Sequence, residues 1–342
     1  MKRKVLLIYT GGTIGMKKDY VTNSLVPVDF DHIFEEIPEL AKVDCQLDIQ
    51  TNPNPIDSSD MSPQNWYRLA ERIEEHYDKY DGFVVLHGSD TMAYTASALS
   101  YMLENLGKPV ILTGSQLPIG TLRTDGKENL ITAIEIASAY NNDKPMVPEV
   151  AIYFEYSLYR GNRAIKVDAQ HFRAFESPNY PLLAEAGVNI KYHKNSILPL
   201  TKKSLVVHKD MSNHVACLRL FPGISPEVVK CVSSNPAIRI LVLETFGSGN
   251  APQDQDILSS LREMIKNGRI VLNVSQCIGG SVRQGIYKNS QILKDIGVVS
   301  GGDMTAEAAI TKSMYLLANS ANISKVAQLL QESLRGELSP SI

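Results

Sequence analysis

Four short segments of the chain set hydroxyls, carboxylates and an amine where they could work on a small polar molecule. In YTGGTIG an apolar run, Val5 to Tyr9, meets Gly11 and Gly12 and then Thr13. Glycine allows backbone angles closed to other residues, so this turn presents Thr13 at a strand end. In VVLHGSDTMAYT a second apolar run ends in His87-Gly88 and gives way to Ser89, Asp90 and Thr91. NPIDSSDMSP carries Asp57, Ser58, Ser59 and Asp60 just before a helix start, and LYRGNRAIKVD sets Lys166 in a short apolar context after two arginines. Open parallel sheets bind ligands outside the carboxyl ends of their strands, so two strand-end hydroxyls in one sheet would meet at one crevice. A carboxylate among hydroxyls could hold the ammonium and the carboxylate of an amino acid. Each segment also has a plain structural reading. Thr13 and the Ser89-Asp90-Thr91 run suit turns and helix caps, His87 a satisfied strand-end side chain, residues 57–60 a polar loop, and Lys166 a solvent-reaching amine.

Other chemistries lack their signatures. Gly15 is followed by Met16 rather than by Lys and a hydroxyl residue, so no phosphate-binding P-loop forms. Gly11, Gly12 and Gly15 do not fit the G-x-G-x-x-G dinucleotide frame, no H-E-x-x-H metalloprotease pair occurs, and there is no G-x-S-x-G elbow. Cys45, Cys217, Cys231 and Cys277 are scattered without a C-x-x-C pair, which fits reduced thiols in a cytoplasm and no zinc. A formal net charge of −3 argues against a general nucleic-acid binder. The basic start MKRK precedes an apolar run too short for a signal peptide, and no run approaches the ~18 apolar residues of a membrane helix. A cytoplasmic protein is expected, with no membrane segment, zinc or bound nucleotide.

The elements that must position these residues alternate along the 342-residue chain. Strand-like runs cover Val5–Tyr9, Gly82–His87, Pro109–Thr113, Glu149–Phe154, His214–Phe221, Ile238–Thr245 and Arg269–Val274. Helical spacing covers about Pro63 to Tyr80, with Ser62 as cap and Pro63 in the first position, and Thr91 to Leu106 before Gly107. Such alternation predicts an α/β protein with largely parallel sheets covered by helices. Tyr192 to Asn213 is polar, interrupted and lysine-rich. It predicts a larger N-terminal domain over 1–190, a linker over 191–213 and a smaller C-terminal α/β domain over 214–342.

Taken together, TGGTIG, DSSDM, HGSDTM, TGSQ at Thr113–Gln116, YRGNR at Tyr159–Arg163, GNAP ending at Pro252 and RGEL near the C-terminus resemble the L-asparaginases, more narrowly their cytoplasmic bacterial type I branch. The resemblance runs through essentially the whole chain. It implies the two-domain asparaginase-like fold and hydrolysis of L-asparagine to L-aspartate and ammonia, without cofactor or metal.

Residue by residue, the resemblance implies Thr13 as the nucleophile that forms an acyl-enzyme, with Tyr20 in the following segment helping to remove its proton. The second catalytic group, Thr-Asp-Lys in the family, falls on Ser89, Asp90 and Lys166, a departure that keeps the hydroxyl and loses a methyl. Asp90 and Ser58 match residues that bind the substrate's ammonium and carboxylate, with Asp57, Ser59 and Ser115 beside them, and the N–H groups of Thr13 and Ser89 would meet the oxyanion. Relatives assemble as homo-oligomers, dimers of intimate dimers. That implies Asn250 and Tyr287 reach across from the neighbouring subunit. Glu244, Thr245, Phe246, Ser275 and Cys277 resemble part of a regulatory asparagine site, but Ile165 and Glu244 stand where cooperative members carry a threonine and an arginine. Allosteric activation is not expected. Two other readings use the same scaffold: an amino-acid sensor weakened by Ser89, and an ammonia-supplying amidotransferase subunit, for whose extra N-terminal domain a motif beginning at Thr10 leaves no room.

Overall fold

The computed structural model describes residues 2–18, 25–27, 33–52, 54–285 and 288–340. The chain divides into two compact units, Met1–Lys209 and Asp210–Ile342.

In the first unit the elements that matter are β1 (Arg3–Tyr9), β2 (Cys45–Thr51), α1 (Pro63–His76), β3 (Gly82–Leu86), α2 (Met92–Met102), β4 (Val110–Thr113), α3 (Gly126–Ser138), β5 (Val150–Phe154), β6 (Ser157–Arg160), β7 (Ile165–Lys166), β8 (Phe175–Glu176), β9 (Ala184–Glu185) and β10 (Lys191–Tyr192). Eight of the strands form one sheet, ordered β10-β9-β6-β5-β4-β3-β1-β2. The five from β5 to β2 pair in parallel, and β6, β9 and β10 continue antiparallel. Val5 to Tyr9 and Phe83 to Leu86 have no exposed surface, as expected of strands covered on both faces. Each large apolar side chain so buried contributes about 1.5–3 kcal/mol. Val5, Leu7, Tyr9, Val84, Leu86 and Ile111 pack with Leu130, Ala133, Ile134 and Ala137 of α3 in the main core.

The parallel strands run in the order 2-1-3-4-5, so the connections leaving β1 and β3 depart toward opposite sides of the sheet. Between them lies the switch point at which such sheets open a ligand crevice. Thr13 follows β1, and Ser89 follows β3.

The two helices expected around this crevice form, with shorter ends. At α1 the Ser62 N–H donates to Asn65 Oδ1 at 3.0 Å and Pro63 takes the first position. The helix stops at His76 rather than Tyr80: the Tyr77 and Lys79 N–H groups bond three residues back, to Glu74 O and His76 O, in a tightened last turn, and Lys108 Nζ donates to the Tyr77 and Tyr80 carbonyls beyond it. Buried almost all round, α2 ends at Met102, where Leu103–Glu104 leaves to pair with Val206–Val207 and Asn105 adopts φ +60°.

The second unit holds β11 (Val215–Arg219), α4 (Pro226–Ser234), β12 (Ile240–Thr245), α5 (Gln255–Lys266), β13 (Ile270–Ser275), β14 (Val299–Ser300) and α6 (Ala306–Asn319). Its four strands pair in parallel in chain order. Leu241, Leu243, Ile257, Leu261, Met264 and Val271 belong to its core. A buried ion pair closes the C-terminal end. Lys312 Nζ lies 2.6 Å from Glu337, both side chains fully buried, and the Glu337 carboxylate also accepts the Leu334 and Arg335 N–H groups. Among the described residues no helix is long and apolar enough to cross a membrane, and no group of three or more His, Cys, Asp or Glu could hold a metal ion. The four cysteines are free.

Candidate active site

Backbone hydrogen bonds draw the three loops at the switch point together. Thr10 donates to the Leu86 carbonyl through both its N–H (3.0 Å) and its hydroxyl (2.7 Å), and Ile56 N–H donates to Thr10 O at 2.8 Å. Thr91 Oγ1 donates to Ser58 O at 2.6 Å. At the centre the approach is so close that two positions leave no room for a Cβ unless the loops shift. A Cβ on Gly12 would lie 2.5 Å from Gly88 N, and one on Gly88 would lie 2.6 Å from Ser58 Oγ. Gly12 also has φ +93°. The glycines of TGGTIG and HGSD therefore do the same work, letting the Thr13, Ser58 and Ser89 loops pack backbone against backbone.

Thr13 opens a 3-10 turn, Thr13–Gly15, and is half-buried. Ser89 opens a second, Ser89–Thr91, which runs into α2. Lys166 arrives from a different part of the chain, on β7, which pairs with β8 across the 167–174 loop. Its ammonium donates to Ser89 Oγ at 2.8 Å and to Asp90 Oδ1 at 2.6 Å. The lysine side chain is 15% exposed, whereas the Asp90 side chain is 69% exposed and open to a ligand.

Asp57 caps its own turn. Oδ1 accepts the N–H and the hydroxyl of Ser59, both at 2.8 Å, and these bonds hold the carboxyl below its ordinary range. Ser58 is buried next to Gly88, and Ser59 is exposed. Ser115 is buried, its hydroxyl donating to Leu117 O at 2.5 Å, so what it can offer a ligand is a lone pair.

Behind the crevice runs a buried polar chain. Trp66 Nε1 donates to Thr95 Oγ1 at 3.0 Å, Thr95 Oγ1 meets His87 Nε2 at 2.9 Å, and His87 Nδ1 meets Gly88 O at 2.7 Å. A carbonyl only accepts, so Nδ1 carries the proton and Nε2 accepts from Thr95. Burial pushes the His87 pKa down to about 4, and the ring is neutral. His87 is therefore a structural side chain that fixes the peptide before Ser89. Sequence reasoning passed over Gln116, the last residue of TGSQ. Its Oε1 accepts the Ser89 hydroxyl at 3.2 Å across 27 positions of sequence, a contact no local pattern announces.

Tyr20 and Tyr287 lie outside the described residues. The remaining sequence-derived positions gather in the second unit at the carboxyl ends of its strands. Asn250 bridges to Phe246 through paired backbone bonds of 2.8 and 2.9 Å. Buried Thr245 donates to Asn273 Oδ1 at 2.7 Å, and Ser275 donates to Gly247 O at 2.6 Å. Glu244 lies 3.7 Å from Arg219 and accepts the Cys217 thiol at 3.3 Å, while Cys277 is exposed.

The fold is shared with known proteins. Residues 4–198 match the family model described as asparaginase, N-terminal, and residues 214–330 the one described as glutaminase/asparaginase C-terminal domain. The chain is 42% identical over 343 residues to L-asparaginase 1 of Escherichia coli strain K12, covering 99% of each protein. It is 40% identical over 363 residues to a 60 kDa lysophospholipase of Mus musculus, covering 98% of this chain and 63% of that protein. Among solved structures, L-asparaginase I from Vibrio cholerae superposes with a TM-score of 0.90 at 41% identity, covering 99% of this chain and 100% of the other.

Proposed function

The chain belongs to the asparaginase family, and from that premise we propose that it is an L-asparaginase, hydrolysing L-asparagine to L-aspartate and ammonia. The observation that carries the chemistry is the Lys166 ammonium bridging Ser89 Oγ and Asp90 Oδ1 beside the loop that ends in Thr13. In the first step Thr13 Oγ attacks the side-chain amide carbon of asparagine, helped by Tyr20, which removes its proton. The C–N bond breaks, ammonia leaves with that proton, and an aspartyl ester on Thr13 remains. In the second step a water held by Ser89 and Lys166 attacks the ester, aspartate departs and the threonine hydroxyl is restored. Thr13 and Ser89 each begin a short turn, whose first N–H groups have no partner within the turn and are suited to the developing oxyanion.

Asp90, which keeps most of its surface open, receives the substrate's ammonium, the Asp57-Ser58-Ser59 turn receives its carboxylate, and Ser115 offers a lone pair to an N–H of the substrate. Residues 1–209 act as the catalytic domain, since Lys191–Tyr192 and Val206–Val207 pair within it rather than forming a linker, and 210–342 act as the domain that completes a neighbour's site through Asn250 and Tyr287. The working form is a homo-oligomer built from intimate dimers, acting in the cytoplasm. Glu244 is taken up by its neighbours Arg219 and Cys217 and offers a carboxylate ligand no positive charge of its own, so a hyperbolic dependence of rate on asparagine is expected. The reaction runs on side chains and water alone. The test is simultaneous assay of ammonia and aspartate from L-asparagine with and without a chelator. Equal amounts of both products, unaffected by the chelator, are expected, and a folded protein that binds asparagine without releasing ammonia would contradict the proposal.

A further inference from the structure

The Ser89 hydroxyl has one proton and two lone pairs, and its neighbours decide how they are used. Lys166 Nζ donates into one lone pair at 2.8 Å, and the proton runs to Gln116 Oε1 at 3.2 Å. The far end of the same amide fixes which atom faces the serine. Gln116 Nε2 donates to the His171 carbonyl at 3.0 Å. Because that carbonyl only accepts, a reversed amide would set two acceptors against each other there. The backbone is anchored as well. The N–H groups of Gln116 and Leu117 donate to the Asp125 carboxylate at 2.9 and 3.1 Å, and Asn129 Nδ2 reaches the same carboxylate at 3.2 Å.

Resting on the reading of Ser89 given above, we infer that Gln116 is a positioning residue that holds the Ser89 hydroxyl in one rotamer, its proton directed away from Lys166 and its second lone pair free for the attacking water. A serine needs this more than a threonine does. Threonine's β-branch restrains χ1 by itself, whereas serine spreads over three staggered wells unless a partner selects one. The same amide ties the 167–174 loop, which follows directly on Lys166, to the TGSQ loop, so one side chain sets both partners of the water.

The experiment measures kcat and KM for L-asparagine in Gln116→Met, a substitution of similar length, in the Ser89 and the Ser89→Thr backgrounds, with near-ultraviolet circular dichroism to confirm folding. In the Ser89 background kcat is expected to fall about ten-fold with KM changed less than about two-fold, and in the Ser89→Thr background the fall shrinks to about three-fold or less. Equal losses in the two backgrounds, a loss carried by KM, or no loss overturns the inference. Should Gln116→Met not fold, Gln116→Glu serves. Its carboxyl donates to the His171 carbonyl only when protonated, so its kcat relative to wild type rises as pH falls, and a flat ratio overturns the inference. Ser89→Ala separates the two claims. Full activity in that variant removes the role of Ser89 itself, whereas an inactive Ser89→Ala beside an unimpaired Gln116→Met removes only the positioning role.

Discussion

Gly88→Ala would drive one methyl group into the narrowest joint between the loops that carry Ser58 and Ser89. The added carbon would lie 2.6 Å from Ser58 Oγ, 2.7 Å from Ser58 Cβ and 3.4 Å from Gly12 Cα. Ordinary carbon contacts sit at about 3.5–4.0 Å, so the loops must part by about 1 Å. Rotating the Ser58 hydroxyl away does not help, because its Cβ is as close as its oxygen and its carbonyl is held by Thr91. Backbone strain is not the cause. Gly88 has φ −65° and ψ 140°, which alanine adopts freely, so the whole effect is steric. Overpacking of this size costs about 1–3 kcal/mol of stability. A displacement of about 1 Å in a reacting constellation costs on the order of 100-fold in rate. A continuous ammonia assay on L-asparagine, with a thermal melt to confirm folding, should therefore show kcat/KM reduced about 100-fold in a folded protein. Repeating Gly88→Ala in the Ser58→Gly background, where the obstructing Cβ is gone, should shrink its effect to about ten-fold or less. A Gly88→Ala enzyme within about three-fold of wild type, or an effect of the same size in both backgrounds, would show that the contact with Ser58 does not govern the site.

Two further outcomes follow from buried groups. His87 is fully buried and neutral, with a pKa pushed down to about 4, while in the unfolded chain it returns to about 6.5. The native state thus binds fewer protons than the unfolded one below about 6.5. The stabilisation is whole above that pH and is lost as pH falls toward 4, amounting to about 3 kcal/mol, and His87→Gln should lack that part of the slope in urea denaturation followed from pH 7.5 to 4. Lys312→Met would strand the Glu337 carboxylate in the second unit's interior and should cost about 3–5 kcal/mol, with much of it recovered when Glu337→Leu is added. Denaturation midpoints of the two variants decide this, and an undisturbed midpoint in Lys312→Met would show that the pair contributes nothing.

Much of the sheet is legible because its strands are covered on both faces. Val5 to Tyr9, Phe83 to Leu86 and Ile240 to Leu243 read as unbroken apolar runs, and unbroken runs stand out. The strand Cys45–Thr51 escapes the same reading because it lies at the sheet edge and alternates Gln46, Asp48 and Gln50 with apolar residues. Ser157–Arg160 escapes for another reason. The turn before it places Glu155 and Tyr156 at φ +42° and +65°, without the glycine or asparagine that would announce a hairpin. The loop hydroxyls and Lys166 are visible as chemical types at strand ends. Their partnerships are not visible in local pattern: Lys166 is grouped with Asp90 by the resemblance alone, and Gln116 meets Ser89 only after the sheet has brought distant segments to one edge. His87 shows the value of the plain reading. It stands in the most suggestive motif, and the fold uses it as a satisfied buried side chain.

The central claim is that the sheet's first strand meets Gly-Gly so that Thr13 can act as the nucleophile. The most direct measurement is kcat for ammonia release from L-asparagine by wild type, Thr13→Ser and Thr13→Ala side by side, each checked for native circular dichroism. A measurable rate is expected in Thr13→Ser, which keeps the hydroxyl, and loss of activity in folded Thr13→Ala. Wild-type turnover in folded Thr13→Ala would contradict it.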